Sequence, residues 1–582
     1  MNKRWSEILW PILLTIFILL ILLLFLQQRR LETALLKLDR QSNLRVHNKN
    51  INISRNVLKE EIITSKYQQY LTSTYTLFEK IKLFDMSVPR RIKLYKYLDN
   101  DNVDISADFP ELKDVDWENA KHLWAIVKSL PKGSAHHEHN FSIIYTMNFL
   151  IYLLNNLPKK YSIIFIDNLE PIKDHPHMKS AENKSLRLVT NGFISSLPVD
   201  IFNKSFFLVI LSESSTTISP ISLEKISDYN LKLLTKSRDI SQSNEGRNTI
   251  NIKSLESVLF ITPENEYLFK DKEWSYLRFF TNRSWQINSH QEILPIYWYY
   301  LAEKAKEENL QDVQIKYDLF SWHYKEDKTY FRNDEKYTLT LASNIIKNIK
   351  DATDISIQIV YALPRNRTEN IVQVSSDDLI AKFRNIRDSD THNIIAGYDI
   401  VGEEDAGDKT EIYYDNLIKF HKERPLKTAF MLHSGETNRV KYPVDPNLLL
   451  ASSLPGSLRV GHGLALWKYP KLYPKYIGRI LIELCPISNS FLKYVTDSRN
   501  HPGMVYINEN IAVSINTDNR GLLNYEYVTY DWFELITALQ LPFKTISNIA
   551  KDSTQYASIM PNVNNEIQNR WLYAYEKFVD TN

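Results

Sequence analysis

The chain has 582 residues, of which 43% are hydrophobic and 24% are charged, and this is the composition of an ordinary globular protein. Its formal net charge of +2 gives no support for binding to nucleic acid, and 13 glycines and 22 prolines are too few for a fibrous or low-complexity chain. The single cysteine, Cys485, excludes an intramolecular disulfide and a zinc site built from cysteines.

The N-terminus contains one long apolar segment. Residues 8–26, ILWPILLTIFILLILLLFL, carry no charge and are long enough to cross the hydrocarbon core of a membrane as a helix. No small-residue cleavage site follows, so residues 1–30 are predicted to be a single-pass membrane anchor with a short tip; a cleaved signal peptide is the alternative. More basic residues follow the segment than precede it, which favours a cytoplasmic location for the rest of the chain, with export as the alternative.

The hydrophobic pattern of the remaining chain changes once, after residue 128. Residues 31–128 place apolar side chains at steps of three and four, which predicts a helical stalk and N-terminal region. After that, short apolar runs alternate with helical patterns, as in repeated βα units around a parallel sheet. Eight candidate strands lie at residues 133–139, 313–320, 355–362, 394–402, 428–436, 458–463, 480–489 and 511–519. A closed (β/α)8 barrel, or TIM barrel, needs eight such strands, so the predicted fold class is α/β with residues 129–582 forming that barrel.

The first two candidate strands are separated by far more residues than one crossover helix needs. Residues 140–312 are therefore predicted to contain a large insertion after strand 1, as a small subdomain or a lid. The sequence assigns no role to this insertion and leaves the oligomeric state open, a homodimer included.

Histidines and an aspartate lie at the ends of several candidate strands. His137 and His139 are two residues apart in the first strand, so both imidazoles can point into the barrel. His433 ends the fifth strand, His462 the sixth, and Asp518 the eighth. The carboxyl ends of barrel strands form the face where active sites are built, so these five side chains predict a metal site.

Six segments form an ordered series of motifs: LPKGSAHHEH, AGYDIVGEEDAG, FMLHSGET, RVGHGLAL, IELCPISNSFLKYVTDSRNHP and QNRWLYAYEKF. They resemble the adenosine deaminase family of zinc aminohydrolases, most closely its secreted, growth-factor-type branch. The resemblance covers about residues 125–578 and is weak over 140–312. Because these motifs match in series, they are more specific together than any one of them alone.

The resemblance implies a reaction and a set of site residues. The reaction is hydrolytic deamination of adenosine or a close derivative, with one Zn²⁺ per chain, since the fourth strand has no lysine of the kind that two-metal amidohydrolases carboxylate. The implied zinc ligands are His137, His139, His433 and Asp518. Glu436 would move a proton between water and purine N1, His462 would orient the attacking water, and Gly402 would offer its backbone N–H to the purine ring.

Two positions depart from the family pattern. Asn140 and Asn519 stand where the branch commonly has aspartates that contact the ribose 5′ side and purine N7, so both are predicted to bind substrate, and an amide can still donate to N7. A neutral Asn140, with Arg520 if it reaches the mouth of the barrel, favours 5′-phosphorylated adenine nucleotides as an alternative substrate. The other alternative is a catalytically silent binding module, for which Asn519 is the main support.

Overall fold

The structure is a computed structural model. It describes residues 58–100, 105–156, 161–166, 207–212, 231–232, 249–250, 260–263, 266, 273–324, 330–365, 374–439 and 446–581. The chain divides into two compact units. Residues up to Lys66 with Val579–Asn582 form the small one, and Tyr67–Phe578 form the large one.

The large unit contains an eight-stranded sheet in which the strands pair in parallel and neighbours follow one another along the chain. Its strands are β1 Gly133–His139, β2 Leu310–Tyr317, β3 Ser356–Pro364, β4 Ile395–Val401, β5 Phe430–Ser434, β6 Ser457–His462, β7 Leu481–Leu484 and β8 Val513–Ile515. Most of their residues are buried, as expected for strands covered on both faces. The predicted α/β fold class and the order of the eight strands are confirmed.

The sheet closes on itself between its last strand and its first. Just beyond β8, the backbone N–H of Asp518 donates to the carbonyl of His137 at 3.0 Å, and the N–H of His139 donates to the carbonyl of Asp518 at 3.1 Å. Glu138 and Asp518 form the corresponding parallel bridge. Closure of the barrel therefore brings the residue after the last strand against the two histidines of the first.

Helices cover the outside of the barrel. In the large unit, residues 67–80 are helical. The further helices of the described residues are Val88–Asp99, Ile105–Asp108, Glu118–Ser129, Met147–Asn156, Glu273–Asn288, Leu294–Glu307, Glu335–Thr353, Ser376–Ser389, Thr410–Glu423, Pro446–Ser453, Tyr473–Tyr476, Pro486–Phe491, Gly503–Asn508, Thr529–Leu539, Phe543–Gln555 and Pro561–Thr581. Two of the crossover helices begin at side-chain caps, where Asp334 accepts from the N–H of Tyr337 and Ser375 from that of Asp378.

The chain between β1 and β2 contains additional structure, as predicted for residues 140–312. Its described part includes an antiparallel pair formed by Tyr161–Ile166 and Phe207–Ser212, and a shorter pair formed by Leu231–Lys232 and Thr249–Ile250. Neither pair joins the barrel sheet. The helix Leu294–Glu307 then leads directly into β2. Whether the insertion acts as a lid stays a prediction.

Three of the predicted strands were too long by three or more residues at their carboxyl ends. The second was predicted to reach residue 320, but β2 ends at Tyr317 because Leu319 has a φ of 54°, which a strand does not accept. The seventh was predicted to reach residue 489, but Pro486 begins a helix there. The eighth was predicted to reach residue 519, but Asp518 has a φ of 62°.

The predicted membrane anchor, residues 8–26, lies outside the described residues. Among the residues that the structure does describe, no helix is both long enough and apolar enough to span a membrane. The boundaries predicted for the anchor and for the helical stalk at 31–128 stay predictions, although the described part of that stalk is largely helical.

Candidate metal centre

The predicted metal ligands meet at the carboxyl ends of the barrel strands. His137 and His139 occupy alternate positions of β1, His433 lies in β5, and Asp518 follows β8. All four side chains are buried. The ligand atoms of the three histidines can lie within 4.8 Å of one another, and the ring centroids of His137 and His433 are 4.4 Å apart. The barrel thus gathers residues that are far apart in the chain into one cluster.

Two of these histidines are oriented by buried carboxylates. Nδ1 of His137 lies 2.7 Å from Oε2 of Glu483, and Nδ1 of His433 lies 2.7 Å from Oδ2 of Asp399. A carboxylate can only accept, so each Nδ1 carries the proton and each Nε2 has a free lone pair. Nε2 of His137 has no hydrogen-bond partner in the described part of the chain. This carboxylate–histidine arrangement is typical of histidines that bind a metal.

Two buried cations neutralise these carboxylates. Nζ of Lys316 lies 2.7 Å from Oδ2 of Asp399 and 3.3 Å from Oε2 of Glu483, while Nε of Arg459 lies 2.6 Å from Oε1 of Glu483. Burial alone would lower the pKa of Lys316, but the two carboxylates outweigh it and the pKa is raised. Burial would likewise raise the pKa of Asp399, but His433 and Lys316 hold it well below its usual range. Both partners are therefore ionised.

Asp518 presents one carboxylate oxygen to the histidines. Its Oδ1 lies 3.1 Å from Nε2 of His139 and 3.8 Å from Nε2 of His137. Its Oδ2 accepts from the hydroxyl of Ser488 at 2.6 Å, and Nδ2 of Asn519 donates to Oδ1 at 2.6 Å. Burial would raise the pKa of Asp518, but His139, His462 and Ser488 together outweigh burial, and the pKa lies well below its usual range. The residue therefore supplies an ionised oxygen.

This donor set fits a zinc ion. Imidazole nitrogens with one carboxylate oxygen are ligands that Zn²⁺ accepts, and a catalytic zinc site keeps a further position for water. The orphaned Nε2 of His137, buried and directed at the cluster, is the polar atom that a cation would satisfy. The residues present therefore fit the metal that the sequence predicted.

The backbone around the cluster lies close to a histidine ring at one position and is left-handed at two others. Gly461 lies in β6 beside His137, and a Cβ atom there would be 2.9 Å from Cε1 of the imidazole. His462 at the end of β6 and Asp518 just beyond β8 both have a φ of 62°. Such left-handed conformations are uncommon outside glycine and concentrate at functional sites.

Glu436 lies next to the cluster on the turn after β5. A carboxylate oxygen of Glu436 can lie within 4.8 Å of the ligand atoms of His462 and Asp518. Glu404 holds this turn, since its two oxygens accept from the N–H groups of Gly435 at 3.0 Å and Glu436 at 2.7 Å. Burial, followed by the charges of Asp518 and Glu404, raises the pKa of Glu436 well above its usual range. Glu436 can therefore hold a proton that a surface glutamate would lose.

His462 faces both Glu436 and the interior of the protein. Its Nε2 lies 3.5 Å from Oε1 of Glu436, and its Nδ1 lies 3.1 Å from Nδ2 of Asn489. Burial lowers the pKa of His462 to about 3, so the ring is neutral at pH 7. Unlike His137 and His433, it has an amide rather than a carboxylate at Nδ1.

The predicted substrate-binding residues have different surroundings. Gly402 has a φ of 100° and open space where a side chain would be, so a ligand could approach its backbone. Asn140 is fully buried, and its Oδ1 accepts from the indole N–H of Trp298 at 2.8 Å. Asn519 is bound on both sides, to Asp518 and to the hydroxyl of Ser142 at 2.5 Å. No contact with a purine tests these three roles, which stay predictions.

Arg520 does not reach the mouth of the barrel. Its side chain is buried, its Nε donates to the carbonyl of Ile143 at 2.8 Å, and its Nη1 lies 3.9 Å from Glu138. Glu138 points away from the metal cluster because it alternates with the two ligand histidines of β1. The condition under which Arg520 would bind a phosphate, a side chain that reaches the mouth, is therefore not met.

Sequence reasoning missed the charged residues that support the cluster. Lys316, Asp399 and Glu483 each interrupt an apolar strand, in QIKY, GYDIV and LIEL. A charge in a strand that is buried on both faces must have a partner, so this interruption was a readable signal. Glu404 carried no such signal, because the turn that it holds is formed by a distant segment.

Comparisons with known proteins agree on one family. A family model described as "Adenosine deaminase" matches residues 264–571. The chain is 25% identical over 483 residues to adenosine deaminase 2 of Dictyostelium discoideum, covering 80% of this chain and 76% of that protein. It is 28% identical over 270 residues to human adenosine deaminase 2, covering 45% of this chain. The matched region spans half the length of the human protein.

Solved structures give weaker likenesses. The Arabidopsis N6-mAMP deaminase aligns with a TM-score of 0.42 and 12% identity, covering 77% of this chain and 99% of that chain. The ADAL–IMP complex aligns with a TM-score of 0.43 and 13% identity, covering 78% of this chain and 99% of that chain. At these scores the likeness says nothing about the substrate.

Proposed function

The chain belongs to the adenosine deaminase family, whose model matches just over half of its residues, and on this premise we propose that it removes the amino group of adenosine or a close derivative by hydrolysis, with one zinc ion per chain. The products are the corresponding inosine compound and ammonia. One observation carries the proposal: four side chains suited to a zinc ion meet a buried glutamate and a neutral histidine at the carboxyl ends of the barrel strands.

The reaction replaces the C6 amino group of the purine with oxygen from water. A bound zinc ion would supply the means to ionise that water at neutral pH. Glu436 holds a proton because of its raised pKa, and it can deliver this proton to ring nitrogen N1 as water adds at C6. Of the two protons that the water gives up, one passes to the amino nitrogen, which leaves as ammonia, and the other returns to Glu436, so that C6 keeps the oxygen as a carbonyl. His462 lies 3.5 Å from Glu436 and orients the attacking water.

The test is turnover of adenosine by the purified full chain in detergent. We expect ultraviolet absorbance to report conversion of adenosine to inosine by the wild-type protein, together with close to one zinc ion per chain. Glu436→Gln is the matched control, because it leaves the four ligand side chains in place. The proposal fails if zinc-loaded wild-type protein converts neither adenosine nor any of deoxyadenosine, AMP, ATP and adenine.

We propose a nucleoside rather than a nucleotide as the substrate, because Arg520 is directed at Glu138 and Ile143. The remaining argument for a nucleotide is the neutral Asn140. An aspartate there would add a charge, and two like charges about 4 Å apart repel by about 4 kcal/mol at an effective dielectric near 20. If Asn140 faces the 5′ group, Asn140→Asp lowers kcat/KM for AMP relative to adenosine. An unchanged ratio would remove the last support for the nucleotide.

We also propose that residues 8–26 anchor the protein to a membrane. The support is the length of the uncharged apolar segment. Fractionation should find the full chain with membranes and a chain without residues 1–30 in the supernatant. Protease protection of sealed vesicles then reports which side carries the barrel, with a cytoplasmic barrel expected. Recovery of the full chain in the supernatant would contradict the anchor.

A further inference from the structure

Behind the metal centre, three polar side chains form a line. The line begins at His462, continues through Asn489 in the helix Pro486–Phe491, and ends at His501, which precedes the helix Gly503–Asn508. All three are buried. The direction of each hydrogen bond along this line can be worked out from its far end.

The far end is fixed by the backbone. The N–H of Gly503 donates to Nδ1 of His501 at 3.0 Å. A backbone N–H can only donate, so Nδ1 of His501 has a lone pair and no proton. Burial lowers the pKa of His501 to about 3, so the ring is neutral and holds a single proton. That proton is therefore on Nε2.

The proton on Nε2 of His501 sets the orientation of the next side chain. This nitrogen lies 3.4 Å from Oδ1 of Asn489, which is the only oxygen of that amide. With its oxygen towards His501, Asn489 directs its NH2 group at Nδ1 of His462, 3.1 Å away. Nδ1 of His462 must then accept and carries no proton, so the proton of the ring is on Nε2.

His462 therefore differs from His137 and His433 in a way that matches their roles. His137 and His433 have carboxylates at Nδ1 and lone pairs at Nε2, as metal ligands require. His462 has an amide N–H at Nδ1, so its Nε2 carries a proton and cannot coordinate a metal. An N–H at this position can instead donate to a water or to a carboxyl oxygen of Glu436.

We propose that Asn489 and His501 are positioning residues that set the tautomer of His462 and so keep it a hydrogen-bond donor rather than a further metal ligand. The consequence for turnover rests on the proposed deaminase function, whereas the tautomer itself does not. The two parts can therefore fail separately.

Asn489→Asp is the decisive variant, because it changes one atom of the amide and little else. A carboxylate can accept from Nε2 of His501 and also from Nδ1 of His462, so every buried donor stays satisfied. The change moves the proton of His462 to Nδ1 and frees the lone pair of Nε2. We expect zinc binding at least as tight as in the wild type and a kcat lowered by about 10²-fold or more.

The tautomer is measured by ¹⁵N NMR on full-length protein labelled at histidine, both free of metal and with zinc. The signal of His462 is assigned from its disappearance in His462→Gln. We expect a protonated Nε2 in the wild type and a protonated Nδ1 in Asn489→Asp. His501→Asn should remove the constraint on the amide and give an intermediate kcat with an unchanged KM. Asn156→Asp adds the same charge at an exposed helix position and should change none of these quantities.

A proton on Nδ1 of His462 in the wild type would overturn the proposal. So would an Asn489→Asp protein that shows the altered tautomer but keeps the wild-type kcat, since the tautomer would then have no part in turnover. If the wild type turns over no purine and yet shows the expected tautomers, the proposed function fails and the positioning of His462 stands.

Discussion

Replacing Gly461 with alanine should weaken zinc binding although no ligand is removed. The new Cβ atom would lie 2.9 Å from Cε1 of His137, whereas ordinary van der Waals contact begins at 3.4 Å. The imidazole must therefore move away by about 0.5 Å, or the strand must shift. Metal–ligand distances in a well-formed site vary by only about 0.2 Å, so a movement of this size disturbs metal binding. The hydrogen bond from Nδ1 to Glu483 opposes a simple rotation of the ring. We expect zinc affinity to fall by about 10–100-fold, as when a supporting residue of a metal site is lost.

The assay is competition for zinc between the protein and a chelator, with wild type and Gly461→Ala side by side. Gly478→Ala is the matched control, because Gly478 has a φ of 69° and no atom within 4 Å of the added Cβ. That variant should lower the Tm through backbone strain and leave zinc affinity unchanged. Zinc bound as tightly by Gly461→Ala as by the wild type would refute the reasoning, because His137 would then not need its present position.

Three further outcomes follow from buried charges. Glu436→Gln should keep its zinc and lower kcat by about 10²–10⁴-fold, and near-normal turnover would mean that another group moves the proton. Lys316→Met should lower the free energy of unfolding by about 3–5 kcal/mol in denaturant titrations, because Asp399 and Glu483 lose a buried partner, while Lys316→Arg should lose less. Burial raises the pKa of Glu138 from 4.5 to about 7, so the folded state binds this proton more tightly, and the free energy of unfolding should fall as pH rises through this range. Glu138→Gln should flatten that part of the pH profile, and an unchanged slope would assign it to another group.

The places that the four predicted ligands take in the barrel could be predicted from the sequence because the rules that set them are local. Alternation along β1 directs His137 and His139 to one face, and the ends of parallel strands meet at one edge of the barrel. The ends of the strands were harder to predict. Strand β2 ends shortly before Leu319, which adopts a positive φ that its residue type alone does not indicate.

Contacts between distant segments could not be predicted. Arg520 pairs with Glu138 across the closure of the barrel. The two residues are far apart in the sequence, so the residues next to each of them do not indicate the pairing. The same holds for Glu404, which binds the backbone of the turn that carries Glu436. In both cases the partner is chosen by three-dimensional proximity, while the residue type indicates only that a partner is needed.

The closure of the barrel has a consequence for how the protein is made. His137 and His139 leave the ribosome long before Asp518, and the backbone hydrogen bonds that join them form only after the last strand has been synthesised. A nascent chain can offer its histidines to a metal ion early, but the predicted oxygen ligand is synthesised near the end of translation. Because domains fold as units and distant pairings form slowly, zinc held by all four predicted ligands would be a sign that the barrel has finished folding. Premature release of the chain before Asp518 would leave an incomplete site that exchanges its metal.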